Sequence, residues 1–143
     1  MKLFSYLVMA AALIASGCGS DDGSPTAPSP APTINVPFSA ADLRLGTGAE
    51  ATPGRNVSVR YTLWVYSTTA ADNKGNQLQS GTFDFVVGQG AIAGFSMGVN
   101  GMRVGGLRRV VVPPNLGYGN NPPDSSIRPN ETLLFEIELL AVR

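Results

Sequence analysis

Val112-Pro113-Pro114-Asn115-Leu116-Gly117-Tyr118-Gly119 separates two apolar runs. The run before it, Leu107 to Val112, is bounded by Gly105-Gly106 and by Pro113-Pro114, the punctuation of a strand that ends in turns. After it, Ile127-Arg128-Pro129 leads into Thr132 to Val142. There Leu133, Phe135, Ile137 and Leu139 recur at every second position, which places them on one face of a strand, with Glu136 and Glu138 on the outward, solvated face. Taken alone, Tyr118 between two glycines reads as an ordinary turn tyrosine.

The same period extends upstream. From Asn56 to Tyr66, Val57, Val59, Tyr61, Leu63 and Val65 share one face, while Ser58, Arg60 and Thr62 share the other. Trp64 and Tyr66 interrupt that polar face, so it is expected to be covered further along. Thr82 to Val87 alternates again and stops at Gly88-Gln89-Gly90, a turn with no phosphate-cradle pattern after it. Asp42-Leu43-Arg44-Leu45 is a short strand ended by Gly46-Thr47-Gly48, and Ser67 to Asn76 reads as a loop or hairpin tip. Only Ala93 to Asn100 reads as helix, although Gly94 and Gly98 each cost about 1 kcal/mol relative to alanine. Several strands and one short helix predict an α+β domain with a single antiparallel sheet and the helix over its apolar face.

Composition narrows the chemistry. The 143 residues carry 10 Lys+Arg and 10 Asp+Glu, so no basic field points to nucleic acid. Hydrophobic residues make up 43%, ample for a core. There is no histidine, and the single cysteine forms neither an internal disulfide nor a zinc cluster. Asn56-Val57-Ser58 and Asn130-Glu131-Thr132 have the form of glycosylation sequons, a weak signal read as coincidental.

Leu3 to Ser16 is mostly apolar and shorter than the ~20 residues that cross a bilayer, which suits a signal-peptide core. Ala15-Ser16-Gly17-Cys18 resembles a bacterial lipobox, with Ala15 where leucine is commoner. That resemblance implies lipid attachment at Cys18, and Gly19 in place of aspartate implies sorting to the outer membrane, facing the periplasm. The alternative is a free thiol behind an ordinary export signal. Gly19 to Pro37 is Pro/Ser-rich with little to bury; extended at ~3.1 Å per residue, such a spacer reaches up to ~60 Å. The expected organisation is a signal peptide over 1–17, a lipidated Cys18 with a linker over 18–37, and one folded domain over 38–143.

From Asp42 to the C-terminus, the order of Gly101-Met102-Arg103-Val104-Gly105-Gly106, the Tyr118 octapeptide, Ile127-Arg128-Pro129 and the last strand resembles the FKBP family of peptidyl-prolyl cis-trans isomerases. The resemblance implies a twisted antiparallel sheet wrapped over one short α-helix, with an aromatic pocket for proline between them. It assigns catalytic roles to Tyr118, through its hydroxyl, to Ile92, through its amide, and to Phe95, at the pocket floor where the family usually has tryptophan. It assigns substrate contacts to Tyr61, Leu78, Gln79, Phe83, Ala91, Ile127 and Phe135. Taken singly, Tyr61, Phe83 and Phe135 are core-facing strand residues; the signal lies in their joint order. Leu78-Gln79-Ser80-Gly81 stands where the family has Phe-Asp-Ser-Ser, and the segment up to Phe83 is several residues shorter than usual. One residue is also missing between Gly88 and Gly94, and the loop after Tyr66 is longer.

The implied activity is isomerisation of X-Pro bonds in cell-envelope proteins, with no cofactor and no metal. The implied partners are proline-containing segments of unfolded or folding proteins, the macrolide inhibitors of the family, and a membrane through the lipid anchor. Two other readings use the same residues: a catalytically weak or inactive peptide-binding chaperone module, and a structural lipoprotein with no affinity for proline.

Overall fold

The computed structural model describes residues 36–143. The leader, Cys18 and nearly all of the linker lie outside the described residues. Five strands, β1 (Ser39–Arg44), β2 (Asn56–Tyr66), β3 (Lys74–Val86), β4 (Leu107–Val112) and β5 (Leu133–Val142), form one sheet in the order β1-β4-β5-β2-β3. All pairings are antiparallel. One helix, α1 (Ala93–Val99), packs against β4 and β5. The expected α+β architecture is the one observed.

The alternating residues form the core. Val57, Val59 and Leu63 of β2 are buried together with Leu133, Phe135, Ile137 and Leu139 of β5, and Phe95 and Val99 of α1 close over them. Burying a side chain of this size stabilises by about 1.5–3 kcal/mol. Leu134 is also buried, because Val111 and Trp64 flank it across the sheet on the opposite face.

Several boundaries differ from the sequence reading, among them the start of β5, which is Leu133 and not Thr132. β1 begins three residues earlier than expected and ends before Leu45, which is exposed. Its pairing with β4 supplies the ladder, and all six residues are exposed, so no burial pattern marked it. β3 starts at Lys74 and runs for 13 residues, so the last three residues of the expected Ser67 to Asn76 loop, and the stretch from there to Thr82, are strand. It pairs with a single neighbour and buries little, which removes the hydrophobic alternation on which a sequence reading depends. The helix ends at Val99, with Asn100 as its C-cap.

Gly94 and Gly98 have a use that their helix propensity conceals. A Cβ on Gly98 would sit 2.6 Å from Cγ2 of Val110, and one on Gly94 would overlap Cγ1 of Val112. The helix therefore lies against β4 at a distance that only glycine permits. Gly98→Ala is expected to destabilise the domain by about 1–3 kcal/mol through overpacking, a cost that exceeds the ~1 kcal/mol gained in helix propensity. Urea unfolding of the two proteins, compared at equal slope, checks this. Arg108 holds the same helix from its other end. Its guanidinium donates to both carboxylate oxygens of Asp42 at 2.7 and 3.2 Å and to the carbonyls of Gly98 and Asn100 at 3.0 and 3.1 Å. One side chain thus ties β1, β4 and the helix C-terminus together.

The outward face of β5 is not simply solvated. Glu136 is 18% exposed and accepts from Lys74 Nζ at 2.7 Å and Arg109 Nη2 at 3.1 Å. Lys74 also lies 4.6 Å above the Trp64 ring, which supplies the cover expected for that position. Burial pushes the Glu136 carboxyl up, but Lys74 and Arg109 pull it further down, so it lies below its ordinary value. A carboxyl with a depressed folded-state pKa contributes stability above the ordinary carboxylate range and loses it as pH falls through its folded value. The loss of thermal stability on acidification is therefore expected to be shallower in Glu136→Gln than in the wild type, a difference that melting curves between pH 7 and pH 3 would show.

Candidate active site

Between the sheet and α1 lies a cavity of about 560 Å³. β2 contributes Tyr61 and Leu63 to its lining, and β3 contributes Gln79 and Phe83. The turn before the helix adds Gly90, Ala91 and Ile92, the helix adds Phe95, the connection before β5 adds Tyr118, and β5 adds Phe135. This size suits one small cyclic side chain with its flanking backbone.

The aromatic wall is built around Phe95. Its ring lies 5.1 Å from Phe135, 5.4 Å from Phe85, 5.7 Å from Tyr61 and 6.2 Å from Phe83, all edge-on. Edge-to-face pairs of this kind add about 0.5–1.5 kcal/mol each beyond area burial and hold the rings in one arrangement. Phe83 stacks on Phe85 at 5.3 Å with the planes 11° apart. Phe85 is buried beneath it and serves as the support of the wall.

Besides Gln79 and the Tyr61 hydroxyl, Tyr118 and Ile92 bring polar groups to this apolar surface. Tyr118 is held by its loop: the Asn121 amide donates to the Tyr118 carbonyl at 3.0 Å, and the Asn130 amide donates to the Gly119 carbonyl at 2.7 Å. Burial raises the Tyr118 phenol above its ordinary value, and nearby Tyr61 and Asp124 add to the effect. The hydroxyl therefore remains a protonated donor well into alkaline pH. Ile92 is the N-cap of α1, and its carbonyl accepts from the Phe95 and Ser96 amides at 3.1 and 3.2 Å. Among the described residues, no backbone carbonyl accepts the Ile92 N–H.

The structure brings Tyr61, Gln79, Phe83, Ala91, Ile92, Phe95, Tyr118 and Phe135 to one cavity. Two of the residues assigned from the sequence are not among those lining the cavity, although both join the cluster that contains Phe95 and Phe135. Ile127 is buried in the core, and Leu78 is packed at the core's margin, where β3 has one residue more than β2 between Leu63 and Trp64. Leu78 is that extra residue, and as the chain neighbour of Gln79 it falls outside the alternating series, Gln79 and Phe83, that faces the cavity. Sequence reasoning passed over Leu63, Gly90 and the supporting Phe85. Leu63 and Phe85 carried the right period, two residues beyond Tyr61 and Phe83 respectively.

An apolar box with a tyrosine hydroxyl and a helix-capping amide at its border offers no nucleophile and no proton acceptor poised near neutrality. It suits a neutral group that must be gripped and turned, with hydrogen bonds to its carbonyls.

Comparison with known proteins agrees with this chemistry. Residues 48–140 match the family described as FKBP-type peptidyl-prolyl cis-trans isomerase. The "FK506-binding protein" of Neisseria meningitidis serogroup B is 40% identical over 101 residues, spanning 71% of this chain and 92% of that protein. The peptidyl-prolyl cis-trans isomerase of Pseudomonas syringae pv. tomato is 28% identical with a TM-score of 0.62, over 73% of this chain and 74% of that one. FkpA from Escherichia coli is 25% identical with a TM-score of 0.63, over 80% of this chain and 53% of that one. A cavity built from aromatic rings on a five-stranded antiparallel sheet, and these relatives, lead to one conclusion: the chain belongs to the FKBP-type peptidyl-prolyl cis-trans isomerase family.

Proposed function

We propose that this isomerase acts on X-Pro bonds of cell-envelope proteins while held at a bacterial membrane by lipid on Cys18. The observation that carries the anchoring is Ala15-Ser16-Gly17-Cys18 directly behind an apolar run. One acyl chain binds a membrane only marginally, whereas several hold a protein durably. The Pro-rich residues up to Pro37 then give the domain reach toward its substrates.

The cavity carries the proposed mechanism. An X-Pro bond rotates slowly because amide resonance imposes a barrier of about 18–20 kcal/mol. The planar amide is more dipolar than the twisted transition state, in which resonance is lost. Walls made by Phe83, Phe95, Ile92 and Phe135 therefore disfavour the planar form more than the twisted one. Tyr118 and the Ile92 amide donate to peptide carbonyls and hold the chain in a turn-like pose. Tyr61, Ala91 and Gln79 contact the flanking residues. Lowering the barrier by about 5–6 kcal/mol accelerates rotation on the order of 10⁴-fold.

Tyr118→Phe removes one neutral hydrogen bond and leaves the rings in place, so kcat/KM is expected to fall about 3- to 10-fold with unchanged stability. A protease-coupled assay on a Leu-Pro peptide checks this. The anchoring is tested by mass spectrometry of the mature N-terminus in wild type and Cys18→Ala. A wild-type protein that starts at an acylated Cys18 and sediments with membranes, both properties lost in the variant, supports it. An unacylated, unsedimented wild type overturns it.

A second reading, a binding module with little catalysis, is favoured by one observation. Gln79 lines the cavity from an exposed position, which leaves that side uncharged and open. Suppression of aggregation by a protein that does not accelerate X-Pro exchange would select it.

A further inference from the structure

β3 is the terminal strand of the sheet, and its second half lies in unbroken register with β2, from Leu63↔Gln79 to Asn56↔Val86. The direction of its backbone groups follows from the bonds at the ends of β2. Asn56 O accepts from Arg143 N at 2.7 Å and Tyr66 N donates to Thr132 O at 3.0 Å, so even-numbered residues of β2 bond toward β5. Arg55 O accepts from Val87 N at 3.0 Å and Ser67 N donates to Asn73 O at 2.9 Å, so odd-numbered residues bond toward β3. In the antiparallel ladder, Gln79, Gly81, Phe83 and Phe85 therefore bond to β2, and the N–H and C=O groups of Ser80, Thr82 and Asp84 face the open edge.

Edge strands are normally guarded by lysine, proline, bulges or charge. Here Gln79 to Phe83 carries none of these, and the bulges of β3 lie further up, beyond Gln79. Of the charges nearby, Asp84 accepts a hydrogen bond from Ser58 Oγ on β2, and Arg60, opposite Thr82, lies 3.8 Å from Glu138 of β5. The unguarded stretch is also the wall of the cavity. Gln79 and Phe83 line it, and Gly81, between them and opposite Tyr61, leaves a gap: a Cβ there would meet nothing within 4 Å. A chain leaving the cavity over Gly81 reaches the edge within one strand spacing, about 4.7–4.9 Å.

We propose that the open edge of β3 from Ser80 to Asp84 receives the residues flanking the bound proline as an added strand, entered through the gap at Gly81. This rests on the cavity being the proline site. It makes the preferred substrate an extended segment and not a short X-Pro turn. Backbone hydrogen bonds supply affinity independent of side-chain identity, as in other strand-addition complexes.

The test compares two peptides on the full chain, a four-residue Leu-Pro peptide and the same core extended by six alternating Thr and Val residues. Binding is read by fluorescence anisotropy and exchange by NMR. The long peptide is expected to bind the wild type about 10-fold more tightly. Thr82→Pro removes an outward-facing donor where proline is tolerated on an edge, and is expected to cancel that advantage while leaving short-peptide exchange unchanged. Where Thr82→Pro does not fold, N-methylation of alternate amides in the extension removes the complementary bonds of the same ladder, peptide N–H to the outward β3 carbonyls, and is expected to cancel the advantage on the wild type. Equal affinities for the two peptides, or an advantage that survives both changes, overturns the proposal. So does concentration-dependent dimerisation of the wild type that the variant loses, without any effect of peptide length, since a second copy would then be the occupant. A length advantage without isomerisation of either peptide supports the edge and removes the catalytic reading instead.

Discussion

Phe95→Ala is expected to destabilise the domain by about 3–5 kcal/mol and to abolish measurable isomerase activity. Phe95 is 4% exposed, and four rings rest against it within 5.1–6.2 Å. Removing it takes away its own transfer free energy and leaves a hole that Gly94 and Gly98 prevent the helix from closing, because they already hold it against Val112 and Val110. A loss of this size is a large part of the 5–15 kcal/mol that holds a typical domain together. Phe95→Leu is expected to retain more than half of that stability while losing the edge-on contacts. Chemical unfolding monitored through Trp64 fluorescence distinguishes the three proteins.

Phe83→Asp is expected to be the reverse case, with catalysis removed and the fold kept. Phe83 is 37% exposed, so an unliganded aspartate there remains hydrated, and the stability cost is about 1–3 kcal/mol from the lost contacts with Phe85 and Phe95. A proline entering the cavity must strip water from that carboxylate, and nothing in the lining bears a positive charge to receive it. Desolvating an unpaired charge costs several kcal/mol, so kcat/KM is expected to fall at least ~100-fold. Phe83→Leu keeps the wall apolar and is expected to retain activity within about 10-fold. Equal activity of Phe83→Asp and wild type would show that the substrate does not enter this cavity.

What could be read from the sequence follows the physics of burial. β2 and β5 were legible because they lie between neighbours with one face on the core, so their apolar residues keep strict period 2. β1 and the first half of β3 bury nearly nothing, and their backbone pairing leaves no trace in side-chain type. Glu136 was misread for a related reason. The period correctly placed it outward, but Lys74 and Arg109, distant in sequence, arrive only through strand order. Gly94 and Gly98 looked like defects until their distance from β4 was known. The cavity was largely visible because aromatic residues at fixed spacing came from strands whose phase was certain. Leu78 is the extra residue at the register shift of β3, which no pattern of side-chain types announces. Ile127 stands in a connection without periodicity, where neither burial nor direction can be inferred.

The most direct measurement is the catalysed cis-trans exchange rate of a Leu-Pro peptide, followed by NMR from pH 5.5 to pH 9. The cavity contributes apolar walls, a backbone amide and a phenol whose pKa is raised, and none of these changes protonation in that range. A rate well above the uncatalysed exchange and flat across the whole range is the predicted result. A rate equal to that in buffer, or one that rises and falls with a group titrating in that range, would contradict rotation driven by an apolar enclosure with fixed donors.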